Sequence, residues 1–143
     1  MHTALRRDVL LLDRLAPDSP AVLREHRVVD APVEPVFARV RDHEPPAPLL
    51  LDGWQVLDVR PGREVVYRGV AGFRSPRRHL CRVTTGFSVT PYGTTRTLLT
   101  CETRLQFEDE DAFRRFRPYW RLLRPAVREL SRGTLRRIEH TVS

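Results

Sequence analysis

The chain has 143 residues, 41% of them apolar and 30% charged, with a formal net charge of +7. That length fits one domain, and the balance of apolar and charged groups excludes a disordered polymer. No apolar run approaches the roughly 20 residues that a membrane-spanning helix requires, and the start lacks the apolar core of a secretory signal, so the sequence reads as cytoplasmic.

Residues 1–21 read as an N-terminal arm and 22–143 as a single domain. Within the arm, the apolar stretch Val9 to Leu15 is stopped by Pro17 and Pro20, which leaves room for a helical turn or two. Val22 to Asp30 has the composition of a strand. Ala31 to Val40 follows as a short helix: Pro32 suits the first turn, where its missing N–H costs nothing, and Val33, Val36, Phe37 and Val40 form the buried stripe. Asp42 to Asp52 holds Pro45, Pro46 and Pro48 and is expected to be irregular, with Leu49 to Leu51 packed in a loop or closing a pocket.

The next signals are β. Trp54 to Arg60 and Arg63 to Phe73 are strands around a Pro61-Gly62 turn, followed by a basic loop, Arg74 to Arg78. Leu80 to Thr90 and Thr95 to Phe107 form a hairpin joined by Pro91-Tyr92-Gly93-Thr94. Side chains alternate along a strand, so Cys81, Val83, Thr85, Phe87 and Val89 share one face, as do Leu99, Cys101, Thr103, Leu105 and Phe107. These odd-numbered faces are expected to look at the core. Thr100, Glu102 and Arg104 are then assigned to solvent, as a surface ion pair. A tight hairpin sets Cys101 opposite a residue near Thr85 and far from Cys81, which leaves two free thiols.

From Glu108 to about His140, apolar residues recur at steps of three and four: Phe113, Phe116, Trp120, Leu123, Val127 and Leu130. That spacing predicts a long helix with one apolar face, capped by Asp109 or Asp111. Pro118 either kinks it or marks its start. Arg114, Arg117, Arg121, Arg124, Arg128 and Arg132 form another flank, which reads as solvated. Strand, short helix, successive antiparallel strands and a long final helix make an α+β order, in which the space between sheet and helix is the natural pocket.

Val28-Val29-Asp30-Ala31-Pro32-Val33-Glu34-Pro35-Val36-Phe37, together with Gly62 to Val66 and Thr100 to Arg104, resembles the START-like or SRPBCC helix-grip superfamily. Phe113 to Pro125 is similar to the closing helix of an uncharacterised actinobacterial-type subgroup. The resemblance implies a curved antiparallel sheet gripping the C-terminal helix around a cavity for an apolar ligand. Members include lipid and hormone carriers, polyketide aromatases and cyclases, and oxygenase components. Where such proteins usually carry a second small helix, this chain has the proline-rich Asp42 to Asp52.

The residues themselves carry no catalytic motif. His2, His26, His43, His79 and His140 are isolated, so neither a metal nor another cofactor is expected. Phosphate loops and nucleophile elbows are missing, and neither cysteine has a neighbouring base. All 25 basic residues are arginine, spread along the whole chain without a recognised module, so nucleic acid is not an expected partner. The expected function is binding of a small hydrophobic or aromatic molecule. Its lining residues are Tyr67, Phe73, Thr85, Phe87, Cys101, Thr103, Phe116, Trp120 and Leu123, with Tyr67, Thr85, Thr103 and an inward arginine fixing orientation. The alternatives are a polyketide cyclase or aromatase using the same cavity, and a basic protein docking on an anionic membrane or an acidic protein. Monomer and homodimer both remain open.

Overall fold

The computed structural model describes residues 10–43, 45, 51–71 and 81–142. Among them the elements follow in the order α1 (Leu11–Leu15), β1 (Ala21–Val29), α2 (Val33–Val40), β2 (Leu51–Arg60), β3 (Glu64–Ala71), β4 (Arg82–Tyr92), β5 (Arg96–Gln106) and α3 (Glu110–Val142). The strands form one antiparallel sheet in the order β1-β5-β4-β3-β2. β2 to β5 are thus a meander, and β5 returns beside β1. Two register shifts in β2, at Leu51/Gly53 and Val56/Asp58, bend that edge of the curved sheet. The architecture is the expected α+β helix grip. Of the Pro-rich stretch Asp42 to Asp52, expected to be irregular throughout, Leu51 and Asp52 instead begin β2, and residues 44 and 46–50 lie outside the described residues, as do the basic loop Arg74–Arg78 and Phe73.

The odd-numbered faces of the hairpin do point to the core, but its turn differs from expectation. β4 runs on to Tyr92, which pairs with Arg96 across Gly93–Thr95. Gly93 supplies the positive φ of 73°. Cys101 therefore pairs with Phe87, and Thr85 pairs with Thr103. Pro91 is tolerated inside β4 because β3 begins opposite Ser88 and has no residue facing Pro91. The Val89 N–H donates to the Arg63 carbonyl at 2.8 Å, so the N–H that proline lacks two residues later would have pointed past the start of β3.

α3 begins before Pro118 and contains both Pro118 and Pro125. Both prolines are exposed, so the carbonyls their rings leave without a helical partner, those of Arg114 and Arg121, belong to exposed residues where water can serve them. Its buried stripe starts as expected, with Phe116, Trp120 and Val127, and then passes through Ser131, Thr134, Leu135 and Ile138. Leu130, assigned to that stripe from the sequence, is exposed. At 3.6 residues per turn the buried line drifts from Val127 to Ser131, and Leu130 falls to one side.

α3 lies closest to β1 and, less closely, to β5. Ion pairs fasten it along β1: Glu25 accepts from Arg132 Nε at 2.5 Å and faces Arg128 Nε at 3.7 Å, while Arg27 donates to Glu139 at 2.6 Å. Arg128 is half-buried and Arg132, though exposed, is ion-paired, whereas Arg114, Arg117, Arg121 and Arg124 are exposed as expected.

The even-numbered face is not solvent. Thr84 and Glu102 are 0% and 3% exposed, because α1 lies across them. Leu11 and Leu12 bury themselves there with Ala16 and Val66, and a Cβ on Gly86 would come within 3.3 Å of Leu12. The segment from residue 10 onward is thus a docked cover. Both ends of α1 are held by charge. The Glu64 carboxylate accepts the Leu11 N–H. Arg104 donates to the carbonyls of Leu12 and Ala16 at 3.4 and 3.2 Å, and Arg68 to that of Leu15 at 3.3 Å. Negative charge at the helix start and positive charge at its end match the helix dipole.

Candidate functional site

The inner face of the sheet carries two apolar clusters. Ala21, Leu23, Val83, Leu105, Phe116, Trp120 and Val127 form the first, near the start of α3. The second gathers Val36, Phe37 and Val40 of α2 with Val65, Tyr67, Phe87, Leu99, Cys101, Leu135 and Ile138. Between them lies a narrow polar waist. Thr85 and Thr103, paired across β4 and β5, share a hydrogen bond of 2.8 Å and are both buried. Ser131 on α3 is buried beside the Cys101 thiol.

One residue touches both clusters. Trp54 of β2 packs against each, and its ring stands edge-on to Tyr67 with centroids 6.5 Å apart. Tyr67 in turn stands edge-on to Phe87 at 6.3 Å and donates to the His43 carbonyl at 3.4 Å. The Trp54 indole Nε1 is buried and has no hydrogen-bond acceptor among the described residues. An indole N–H is that side chain's only polar group, and leaving such a donor unpaired costs about 1–3 kcal/mol.

The structure brings together most of the residues expected to line a pocket. Tyr67, Thr85, Phe87, Cys101 and Thr103 are buried on the inner sheet face, and Phe116 and Trp120 are buried on α3 facing it. Leu123 is half-buried on α3. Phe73 lies outside the described residues. Trp54 was not among the expected residues, since from the sequence it marked only the start of a strand; an orphaned N–H becomes visible only with its neighbours.

The ionisable groups of this face are committed elsewhere or neutral. Glu25 and Arg27 pair with α3, and Arg68, a candidate for an inward arginine, points to the opposite face, where it reaches Leu15 and Thr84. Burial pushes the Cys101 thiol up to about 12, with Glu25 and Glu102 adding to the rise and the Ser131 hydrogen bond opposing it. Burial likewise takes Cys81 up to about 12. Neither is a thiolate nucleophile at neutral pH. Among the described residues, no three His, Cys, Asp or Glu side chains gather to hold a metal ion. No helix among them is long and apolar enough to cross a membrane.

Two concavities lie away from this face. A void of about 20 Å³ beneath α1, beside Glu64, Gly86 and Glu102, has room for about one water molecule. An open groove of about 450 Å³ lies where the link from α1 to β1 meets the start of α3, floored by Phe107 and Phe113 and rimmed by Asp18, Asp109 and Glu110. Asp109 is used there as a cap, accepting the Ala112 N–H at 2.7 Å.

No family model and no curated protein sequence matches the chain. Solved structures do match in fold. A protein of Arthrobacter aurescens, solved by NMR, is 15% identical over 85% of each chain, with a TM-score of 0.55. A conserved protein of Geobacillus kaustophilus is 12% identical over 85% of this chain and 95% of its own, with a TM-score of 0.53. The di-domain ARO/CYC protein StfQ from the steffimycin biosynthetic pathway is 12% identical, with a TM-score of 0.56; the match covers 90% of this chain and 53% of StfQ, about half of that protein. At these identities the likeness establishes the fold.

Proposed function

We propose that this chain is a START-like protein that binds a small, flat hydrophobic or aromatic molecule bearing a hydrogen-bond-accepting oxygen, held against the inner face of the sheet beneath α3. The observation that carries this reading is the buried, unpaired Trp54 N–H between two apolar clusters. An aromatic ligand would bury its rings against Trp54, Tyr67 and Phe116, and its oxygen would accept the indole proton. The Thr85 and Thr103 hydroxyls, already paired to each other, are a second polar point at the same waist. Such a division, broad apolar contact with a few polar groups to set orientation, is the usual build of a small-molecule site.

A cyclase or aromatase reading draws support from the fold shared with StfQ. It would need an ionisable group facing the ligand, and the described inner-face candidates are ion-paired to α3 or, in Cys101, protonated. Binding is therefore the better supported reading.

Calorimetric titration with two probes that differ by a carbonyl oxygen, 2-acetylnaphthalene and 2-ethylnaphthalene, tests it. The ketone should bind about tenfold tighter, the worth of one hydrogen bond of about 1.4 kcal/mol, and Trp54→Phe should remove that preference while still binding both. No binding of either probe would overturn the site. Equal binding by the unaltered protein would overturn the role of the N–H.

A further inference from the structure

α3 carries a second apolar stripe that faces outward. Leu122 is 80% exposed, Leu130 48% and Tyr119 43%, and Ala126 between them is exposed as well. Steps of three and four put these residues on one side of the helix, away from the buried line of Phe116, Trp120, Val127 and Ser131. Charges of both signs lie along the same side. Asp111 and Arg115 precede the stripe, Glu129 lies within it, and Arg136 and Arg137 follow it; all five are exposed.

This pattern is complementary to itself reversed. A second copy of the helix laid antiparallel, with Leu122 against Ala126 of that copy, brings Tyr119 against its Leu130. In the same register Asp111 comes beside its Arg136 and Arg137, and by two-fold symmetry each contact is made twice. Arg115 and Glu129 then fall within about one helical turn of each other across the pair. A parallel copy would instead set acid beside acid and arginine beside arginine. Large Leu122 opposite small Ala126 also allows close approach of the two helices, and antiparallel helix dipoles attract. An acidic protein or an anionic surface would match the arginines but leave Asp111 and Glu129 facing like charge.

We propose that this outward side of α3 is the contact between two copies of the chain, an antiparallel helix pair centred between Leu122 and Ala126. The surface is separate from the inner-face site and does not depend on it.

Sedimentation velocity of the full chain over a hundredfold concentration range, at moderate salt, tests the proposal. The unaltered protein should reach twice the monomer mass. Leu122→Glu should weaken self-association at least tenfold with an unchanged thermal melt, because this side chain is 80% exposed in its own subunit. Asp111→Arg should also weaken it, and mixing that variant with an Arg136→Asp/Arg137→Asp variant should restore a mixed dimer. A protein that is monomeric throughout, a Leu122→Glu variant that still dimerises, or a charge swap without rescue would each overturn the proposal. So would a monomer that binds vesicles of phosphatidylserine and phosphatidylcholine through this face, which would make a lipid surface its occupant.

Discussion

On the outer face of the sheet, polar groups answer one another: Glu102 accepts from Arg24 at 2.5 Å and from Arg104 at 2.6 Å, and Arg104 reaches on to Asp13 at 2.5 Å. On the inner face the charged groups Glu25 and Arg27 pair with α3, and the other polar groups, among them the paired Thr85 and Thr103, Ser131 and one indole N–H, are uncharged. Buried atoms without partners occur on both faces, and the difference between them is informative. The outer ones, Glu64 Oε2, Arg68 Nε and Gln106 Oε1, belong to side chains that each have another polar atom engaged, with Leu11, with Leu15 and Thr84, and with Pro17. Trp54 has no second polar atom. The outer face has its cover, α1, supplied by the chain itself; the inner face holds a buried donor with no acceptor among the described residues.

The largest expected effect comes from the inner face. Phe87→Ala removes a fully buried ring that Tyr67 packs against, and should cost about 3–5 kcal/mol in chemical denaturation. A loss below about 1 kcal/mol would mean that this face is loosely packed, contrary to the account. Next is Arg104→Ala on the outer face. It leaves Glu102 with Arg24 alone and takes a guanidinium from Asp13 and from the Leu12 and Ala16 carbonyls, at a cost of about 3 kcal/mol. Its signature should be local: faster proteolysis between Ala16 and Ala21, with inner-face binding retained. Equal loss of both would show that the two faces are not separable.

The smallest effect is a pH dependence. Burial raises the Glu64 carboxyl above its ordinary 4.5, against the Leu11 hydrogen bond and the charges of Arg60 and Arg63. The folded state therefore holds a proton that the unfolded state has already released. Stability from this group is lost as pH rises from 4.5 through the higher folded value, and stays lower above it. Glu64→Gln keeps an oxygen for the Leu11 N–H but removes the titration, so its melting temperature should exceed that of the unaltered protein at pH 7 and converge with it below pH 4.5. Parallel melting curves across that range would contradict the account.

Much of the fold was legible because its periodicities are strong. Alternation in Val83–Val89 and Leu99–Phe107 identified the inner face, and the steps from Phe116 to Val127 identified the helix that covers it. The end of that stripe was not legible, since the buried line continues through Ser131 and Thr134, whose hydroxyls carry no apolar signal. Glu102 and Arg104 misled for a related reason. Polar residues alternating with apolar ones read as solvent-facing, and nothing local to β5 reveals that Leu11 and Leu12, some ninety residues earlier, come to lie on them. Of the candidate site, the inward position of Thr85, Phe87, Cys101 and Thr103 was legible from strand alternation. Trp54 was missed because an unpaired N–H is a property of surroundings, and these come from β3 and from both apolar clusters.

The central claim concerns a single proton, and the chain has only two tryptophans, Trp54 and Trp120. In a nitrogen–proton correlation spectrum of labelled protein, the two indole signals can be assigned with Trp54→Phe and followed on addition of 2-acetylnaphthalene and then of 2-ethylnaphthalene. The account predicts a downfield shift of the Trp54 indole proton with the ketone and little change with the hydrocarbon. A Trp54 signal that ignores the ketone, while inner-face methyl signals of Leu99 and Val65 respond to it, would contradict the claim that this N–H anchors the ligand.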